Sequence, residues 1–190
     1  MIKLVLASGS PRRRELMTML GFTDFEVIPS QCEETAPEGL SPGEYAMHIA
    51  RLKAEDIWSN HRDAVIISAD TTVWYEGGVY GKPRDGEDAF NMLRTLSGKT
   101  HEVYTGVCVI RDGRISTAYE KTEVTFRHMS DGEILSYIAT GEPMDKAGAY
   151  GAQGKGALFV SKINGDFYNV MGLPVCLLGS ILKEQGVSVL

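Results

Sequence analysis

The chain has 190 residues, of which 43% are hydrophobic and 23% charged, the composition of an ordinary globular protein and not of a disordered one. Nineteen Lys and Arg against 25 Asp and Glu leave a net charge of −6, which excludes a protein whose main work is coating nucleic acid or an anionic membrane. A chain this long buries roughly 70% of its unfolded surface and needs neither disulfides nor a structural metal, so residues 1–190 read as a single domain.

The start, MIKLVLASGSPRRR, has an apolar run too short for a secretory signal, with its arginines after the run and not before it. No stretch approaches the ~20 apolar residues of a membrane span. The expectation is a cytoplasmic protein with no membrane partner. Cys32, Cys108 and Cys176 stand far apart, in no CxxC or His-paired spacing, and read as reduced thiols.

Short β-rich runs alternate with helical patterns. Ile2–Ala7 reads as a buried strand. A helix follows to about Leu20, with Ser10 as N-cap, Pro11 at the first helical position and Gly21 closing it. Phe25–Ile28 is a short strand. Ser41-Pro42-Gly43-Glu44 is a capping box that opens a helix to about Trp58. Ala64–Ala69 is an apolar strand ending at Asp70, and Thr71–Tyr75 carries strand formers on to a Glu76-Gly77-Gly78 turn. Asp85 and Asp88 open a helix that stops at Gly98. Residues 101–110 and 114–127 form a hairpin about Asp112-Gly113. Ser130 and Glu133 make a second capping box, for a helix ending at Gly141. Residues 148–156 form a glycine-rich loop, Ala157–Ile163 a strand, and Pro174 starts the last helix. Alternating helices and strands followed by hairpins predict an α/β architecture, with helices on both faces of a mixed sheet.

Three features carry chemistry. Arg12, Arg13 and Arg14 crowd the first turn of a helix behind Ser8-Gly9-Ser10-Pro11. A helix N-terminus carries partial positive charge, so three cations there have the wrong sign for stability unless an anion docks among them. A solvated basic turn is the alternative. Lys53 lies on the apolar stripe of Ala46, Ile49 and Ile57, where it needs an anionic partner or must snorkel to the rim. Asp70 follows a buried strand, where a carboxylate holds Mg²⁺, activates a water, or merely makes a turn. Lys82, in Gly81-Lys82-Pro83, adds a cation on a stiffened loop. Glu33 and Glu34 are adjacent acids, either a metal site or a plain acidic loop. The glycine-rich segment matches neither a Walker loop nor GxGxxG, and the four histidines have no metal or triad spacing.

In this order the pieces resemble the Maf family of nucleoside triphosphate pyrophosphatases. The resemblance rests on Ser8-Gly9-Ser10-Pro11-Arg12-Arg13, Ala50-Arg51-Leu52-Lys53-Ala54, Ala69-Asp70-Thr71 and Gly81-Lys82-Pro83. It is completed by Thr105-Gly106, the segment from Glu142 to Gly154, and Val170-Met171-Gly172-Leu173-Pro174. The match runs from Leu6 to Pro174. It implies a three-layer α/β/α fold with an extended mixed sheet, like that of inosine triphosphate pyrophosphatases. It also implies a hydrolase of nucleotide metabolism, cutting between the α and β phosphates, with a divalent cation (Mg²⁺ or Mn²⁺) and usually a homodimer.

Members acting on dTTP and UTP carry Arg, Thr and Gln where members acting on 7-methyl-GTP carry Trp, Gln and Glu. Arg12, Thr71 and Gln153 look like the dTTP/UTP branch. Joined to the residue chemistry, the resemblance assigns Arg13, Lys53 and Lys82 to the triphosphate, with Ser8 and Ser10 in support. It assigns Glu34 and Asp70 to the metal, Asp70 as general base, and Arg12, Thr71 and Gln153 to base selection. Two alternatives remain: a nucleotide-binding regulator of septum formation without turnover, and the same chemistry on 7-methyl-GTP or modified pyrimidine nucleotides.

Overall fold

The structure, a computed structural model, describes residues 2–188. A seven-stranded mixed sheet runs through it with helices flanking it. The strands are β1 (Lys3–Leu6), β2 (Glu26–Val27), β3 (Ala64–Tyr75), β4 (Gly78–Tyr80), β5 (Thr100–Arg111), β6 (Arg114–Phe126) and β7 (Val160–Asn164). Their order is β2-β1-β3-β5-β6-β7, with β4 paired to β3. Pairing of β1 with β2 and β3 is parallel, and β3–β4 and β6–β7 are antiparallel. The helices are α1 (Pro11–Met19), α2 (Pro42–Trp58), α3 (Gly86–Leu96), α4 (Asp131–Ile138), α5 (Phe167–Met171) and α6 (Val175–Glu184). Among the described residues no helix is long and apolar enough to cross a membrane.

The chain forms two compact units. One comprises residues up to Asp70, Thr105–Glu120 and the chain from Gly172 on; the other comprises Thr71–Tyr104 and Lys121–Met171. The first unit has a core of Val5, Ala7, Ala50, Ala54, Ile57, Ala64, Ile66, Cys108 and Ile110. Small residues on the inner face of α2 let it lie close to the sheet. The closest approach is at Gly106 of β5, where an added Cβ would sit 2.3 Å from the Ala46 carbonyl carbon and oxygen. The second unit centres on Val73, Leu93, Leu96, Phe126, Ile134, Tyr150 and Phe159. There Phe126 meets His101 and Tyr150 edge-on at centroid distances of 4.8 and 4.7 Å, a geometry that sets ring edges against π faces.

Both predicted capping boxes are present, Ser41 with Glu44 and Ser130 with Glu133. The Asp112-Gly113 turn has φ of 50° and 81°, the left-handed pair that a two-residue hairpin requires. Other expectations need correction. Ser10 occupies the N-cap position of α1, but its side chain makes no capping bond. The apolar strand read up to Asp70 and the strand formers read over Thr71–Tyr75 prove to be one strand, β3, with Asp70 inside it, and β4 then pairs with it. Ala157–Phe159 belongs to a 3-10 turn, Lys155–Phe159, and β7 begins only at Val160. The short elements β4 and α5, of three and five residues, carry no periodic signal in the sequence.

Candidate active site

In the first unit, the chain leaves β1 into Ala7, whose N–H still donates to Ile67 O at 2.8 Å, and then turns at Ser8. Ser8 is buried, and its Oγ accepts from Ser10 N at 3.3 Å and from Arg13 Nη1 at 3.0 Å. Arg13 also donates from Nε to Gly172 O at 2.7 Å. The guanidinium is thus fixed on two sides at the opening of α1, whose first turn contains no acidic residue. Burial lowers the Arg13 guanidinium from its usual value; Asp70 and Glu34 act in the opposite direction, and Arg12 adds to the lowering. The charge of this basic turn is thus felt by two carboxylates from other parts of the chain.

Those carboxylates meet at Lys53. Its ammonium donates to Asp70 Oδ1 at 2.7 Å and lies 3.0 Å from Glu34 Oε1. Only 15% of the Lys53 side chain and 13% of the Asp70 side chain are exposed, against 52% for Glu34. Lys53 does not snorkel to solvent. It points from the apolar face of α2 at β3, and two anions compensate its charge. Tyr45, two turns earlier on α2, joins the same field: burial raises its phenol pKa, Asp70 and Glu34 raise it further, and Lys53 opposes them. Parallel pairing of β3 with β1 stops at Ile67, so Asp70 lies three residues past the carboxyl end of that pairing. It is there that open α/β sheets place ligands, even though β3 itself goes on.

Of the predicted residues, Ser8, Ser10, Arg13, Glu34, Lys53 and Asp70 all fall within this unit: hydrogen bonds join Ser8, Ser10 and Arg13, ion pairs join Lys53 with Glu34 and Asp70, and electrostatic influence alone connects the two groups; Arg12 is half-buried on the same turn of α1 as Arg13. Thr71 is the next residue on β3, so its side chain leaves on the strand face opposite to Asp70. Lys82 is exposed on the loop between β4 and α3, where Gly81 O accepts from Gly148 N at 3.1 Å.

Gln153 is exposed in a turn closed by Gly154 N donating to Gly151 O at 3.3 Å. That turn is organised by Glu142, a residue that sequence pattern alone does not single out. The Glu142 carboxylate accepts from Tyr137 Oη at 2.8 Å, Lys155 N at 2.9 Å and Gly156 N at 3.1 Å. Burial alone pushes the Glu142 carboxyl up, but these donors outweigh it and hold the group below its usual value. A Cβ at Gly154 would lie 2.4 Å from Glu142 Oε1, so an added side chain would displace the carboxylate. Gly172 as the acceptor for Arg13 was missed too; a backbone carbonyl leaves no mark on residue type.

Among the described residues no group of three or more His, Cys, Asp or Glu side chains converges as a metal cage. The two carboxylates that stand close enough together to share a divalent ion are Glu34 and Asp70, both paired with the Lys53 ammonium. Two hard carboxylates fit Mg²⁺, which keeps waters and takes substrate phosphates as its remaining ligands instead of an all-protein shell.

A model of the Maf-like protein family matches residues 3–185. A dTTP/UTP pyrophosphatase from Bacillus cereus is 49% identical over 189 residues, covering 100% of this chain and 98% of that protein. One from Bacillus anthracis is 48% identical with the same coverage. Among solved structures, a HAM1 protein from Coxiella burnetii superposes with a TM-score of 0.53 at 16% identity, over 97% of this chain and 100% of that one; at that identity the likeness concerns fold alone.

Proposed function

Because the chain belongs to the Maf-like family, we propose that it is a nucleoside triphosphate pyrophosphatase acting on dTTP and UTP, releasing the monophosphate and pyrophosphate. The names of relatives at 48–49% identity support the substrate class. The observation that carries the mechanism is Lys53 held between Asp70 and Glu34, in the electrostatic field of Arg13.

Substitution at phosphorus asks chiefly for positioning and charge stabilisation. Arg13 and Lys53 neutralise the triphosphate, and Lys82 is assigned a further positive charge on it. Ser8 fixes the Arg13 fork and Ser10 N–H fixes Ser8, so the guanidinium does not reorganise when charge builds on the phosphate oxygens. Asp70, oriented by Lys53, takes the proton from a water that attacks the α-phosphorus as the bond to the β-phosphate oxygen breaks. Glu34 and Asp70 would hold the divalent cation, which, when bound, supplies Lewis-acid neutralisation of phosphate charge. Arg12, Thr71 and Gln153 select the pyrimidine ring. The same reading carries a cytoplasmic home and a homodimer.

Pyrophosphate release from a panel of triphosphates in the presence of Mg²⁺ tests the activity, and no release from dTTP or UTP rejects it. Asp70→Asn should cut turnover by about 10²–10⁴-fold, the usual worth of a general base, while nucleotide affinity stays close to wild type; near-normal turnover removes Asp70 as the base. Arg12→Trp, Thr71→Gln and Gln153→Glu together should shift preference from dTTP and UTP toward 7-methyl-GTP, and an unchanged substrate profile rejects their role in selection.

A further inference from the structure

The loop that bears Glu34 is fastened along helix α2 at three successive points. Asp56 Oδ2 accepts from Ser30 Oγ at 2.7 Å and from Gln31 N at 3.0 Å. Lys53 takes Glu34 at 3.0 Å. His48 Nε2 donates to Thr35 O at 3.2 Å. From Asp56 back to His48 is eight residues, about 12 Å of helix at 1.5 Å per residue. The loop covers it in the opposite direction with the five steps from Ser30 to Thr35, whose full reach is about 17 Å, and the slack is taken up in a local turn where Thr35 N donates to Glu33 O at 2.9 Å. Inside the strap Cys32 N donates to Ser30 Oγ at 3.1 Å, so the serine that Asp56 holds also sets the next turn.

Glu34 is half exposed, and a single ion pair with a side chain so open to water fixes position only weakly. The backbone has to be placed by something else. Asp56 does this with two hydrogen bonds to a charged acceptor, which are stronger than neutral ones. The signal was present in the sequence: an aspartate three residues after Lys53, on the same helix and one turn on.

We propose that Asp56 is a positioning residue: it ties the Ser30–Thr35 loop to α2 and so sets where the Glu34 carboxylate stands relative to Lys53 and Asp70. The proposal rests on the reading above that Glu34 helps to hold the divalent cation.

Two measurements test it. The first needs no metal and no substrate. In a Cys176→Ser background, which leaves Cys32 half-buried and Cys108 buried, iodoacetamide labelling of Cys32 is followed by mass spectrometry. Asp56→Ala should speed labelling about fivefold or more, and Asp56→Asn, which keeps an acceptor oxygen, should stay near the parent rate. An unchanged rate in Asp56→Ala overturns the tether. The second is the Mg²⁺ dependence of pyrophosphate release. Asp56→Ala should raise the apparent metal constant about 10-fold, the lower end of outer-shell effects on metal sites, with turnover at saturating Mg²⁺ nearly unchanged. In a Glu34→Gln background the same change should add nothing. A shift from Glu34→Gln alone, with none from Asp56→Ala, overturns the positioning role and leaves the metal reading standing. No shift from Glu34→Gln removes the metal reading, and the positioning role falls with it.

Discussion

At the scale of single residues, the site is built on one lysine used as a shared counterion. Lys53 is the group through which a helix, a strand and a loop exchange charge: its ammonium contacts Asp70 on β3 and Glu34 on the acidic loop at 2.7 and 3.0 Å. Lys53→Ala should lower kcat/KM by about 10²–10³-fold, comparable to deleting one preorganised donor to a developing oxyanion, and steady-state kinetics on dTTP measures it. Lys53→Arg should not restore the rate, since a planar fork does not reproduce a point charge shared between two carboxylates. The need for an anionic partner was legible from the position of Lys53 on an apolar stripe. Which carboxylate answered it was not, because Asp70 is 17 positions and Glu34 19 positions away, and periodicity carries no information across such distances.

Among elements, the Glu142 staple holds the glycine-rich turn. Gly154→Ala places a methyl carbon 2.4 Å from the Glu142 carboxylate oxygen, so the turn or the carboxylate must move. The expected cost is about 1–3 kcal/mol of stability, the worth of the charged carboxylate's hydrogen bonds to the turn that such a shift loosens, measured by urea denaturation, and it comes with a change in the preference assigned to Gln153.

Helices with strong termini were legible: the boxes at Ser41 and Ser130 and the turn at Asp112-Gly113 use short-range side-chain and backbone chemistry that the sequence states directly. Strand limits were less so. Asp70 closes the apolar run, yet the strand formers from Thr71 to Tyr75 carry the same strand past it, so a change of composition is not a change of structure there. Ala157–Phe159 looked like strand from composition, but glycines at 154 and 156 and the Glu142 bonds to Lys155 N and Gly156 N wind it into a 3-10 turn. Tertiary hydrogen bonds of this kind are invisible in a single sequence.

For the molecule as a whole, the alternation of helix and strand was enough to give the mixed sheet and its flanking helices, while the order of its strands depends on pairings far apart along the chain. Stability should carry the mark of one buried imidazole. His101 is 1% exposed, with Nε2 2.8 Å from Tyr150 Oη, and burial lowers its pKa to about 4. An unfolded histidine protonates near its ordinary value of about 6.5. Above that pH both states are neutral and the full stability is present. As pH falls from 6.5 toward 4 the unfolded chain gains a proton that the folded one refuses, and stability drops by about 3 kcal/mol. Urea denaturation across this range should show a shallower loss in His101→Gln than in the wild type; equal slopes would place the proton elsewhere.

Gly106 ties folding to chemistry in another way. The backbone of α2 rests against a residue with no side chain, so the clearance between helix and sheet is gauged by a missing methyl. Lys53 reaches down from that helix to Asp70 on β3, the strand beside β5. An alanine at 106 would act as a shim under one end of a beam. It would touch neither charged group, yet it would lengthen the gap between them, so that a residue with no part in the reaction would register as a defect in it.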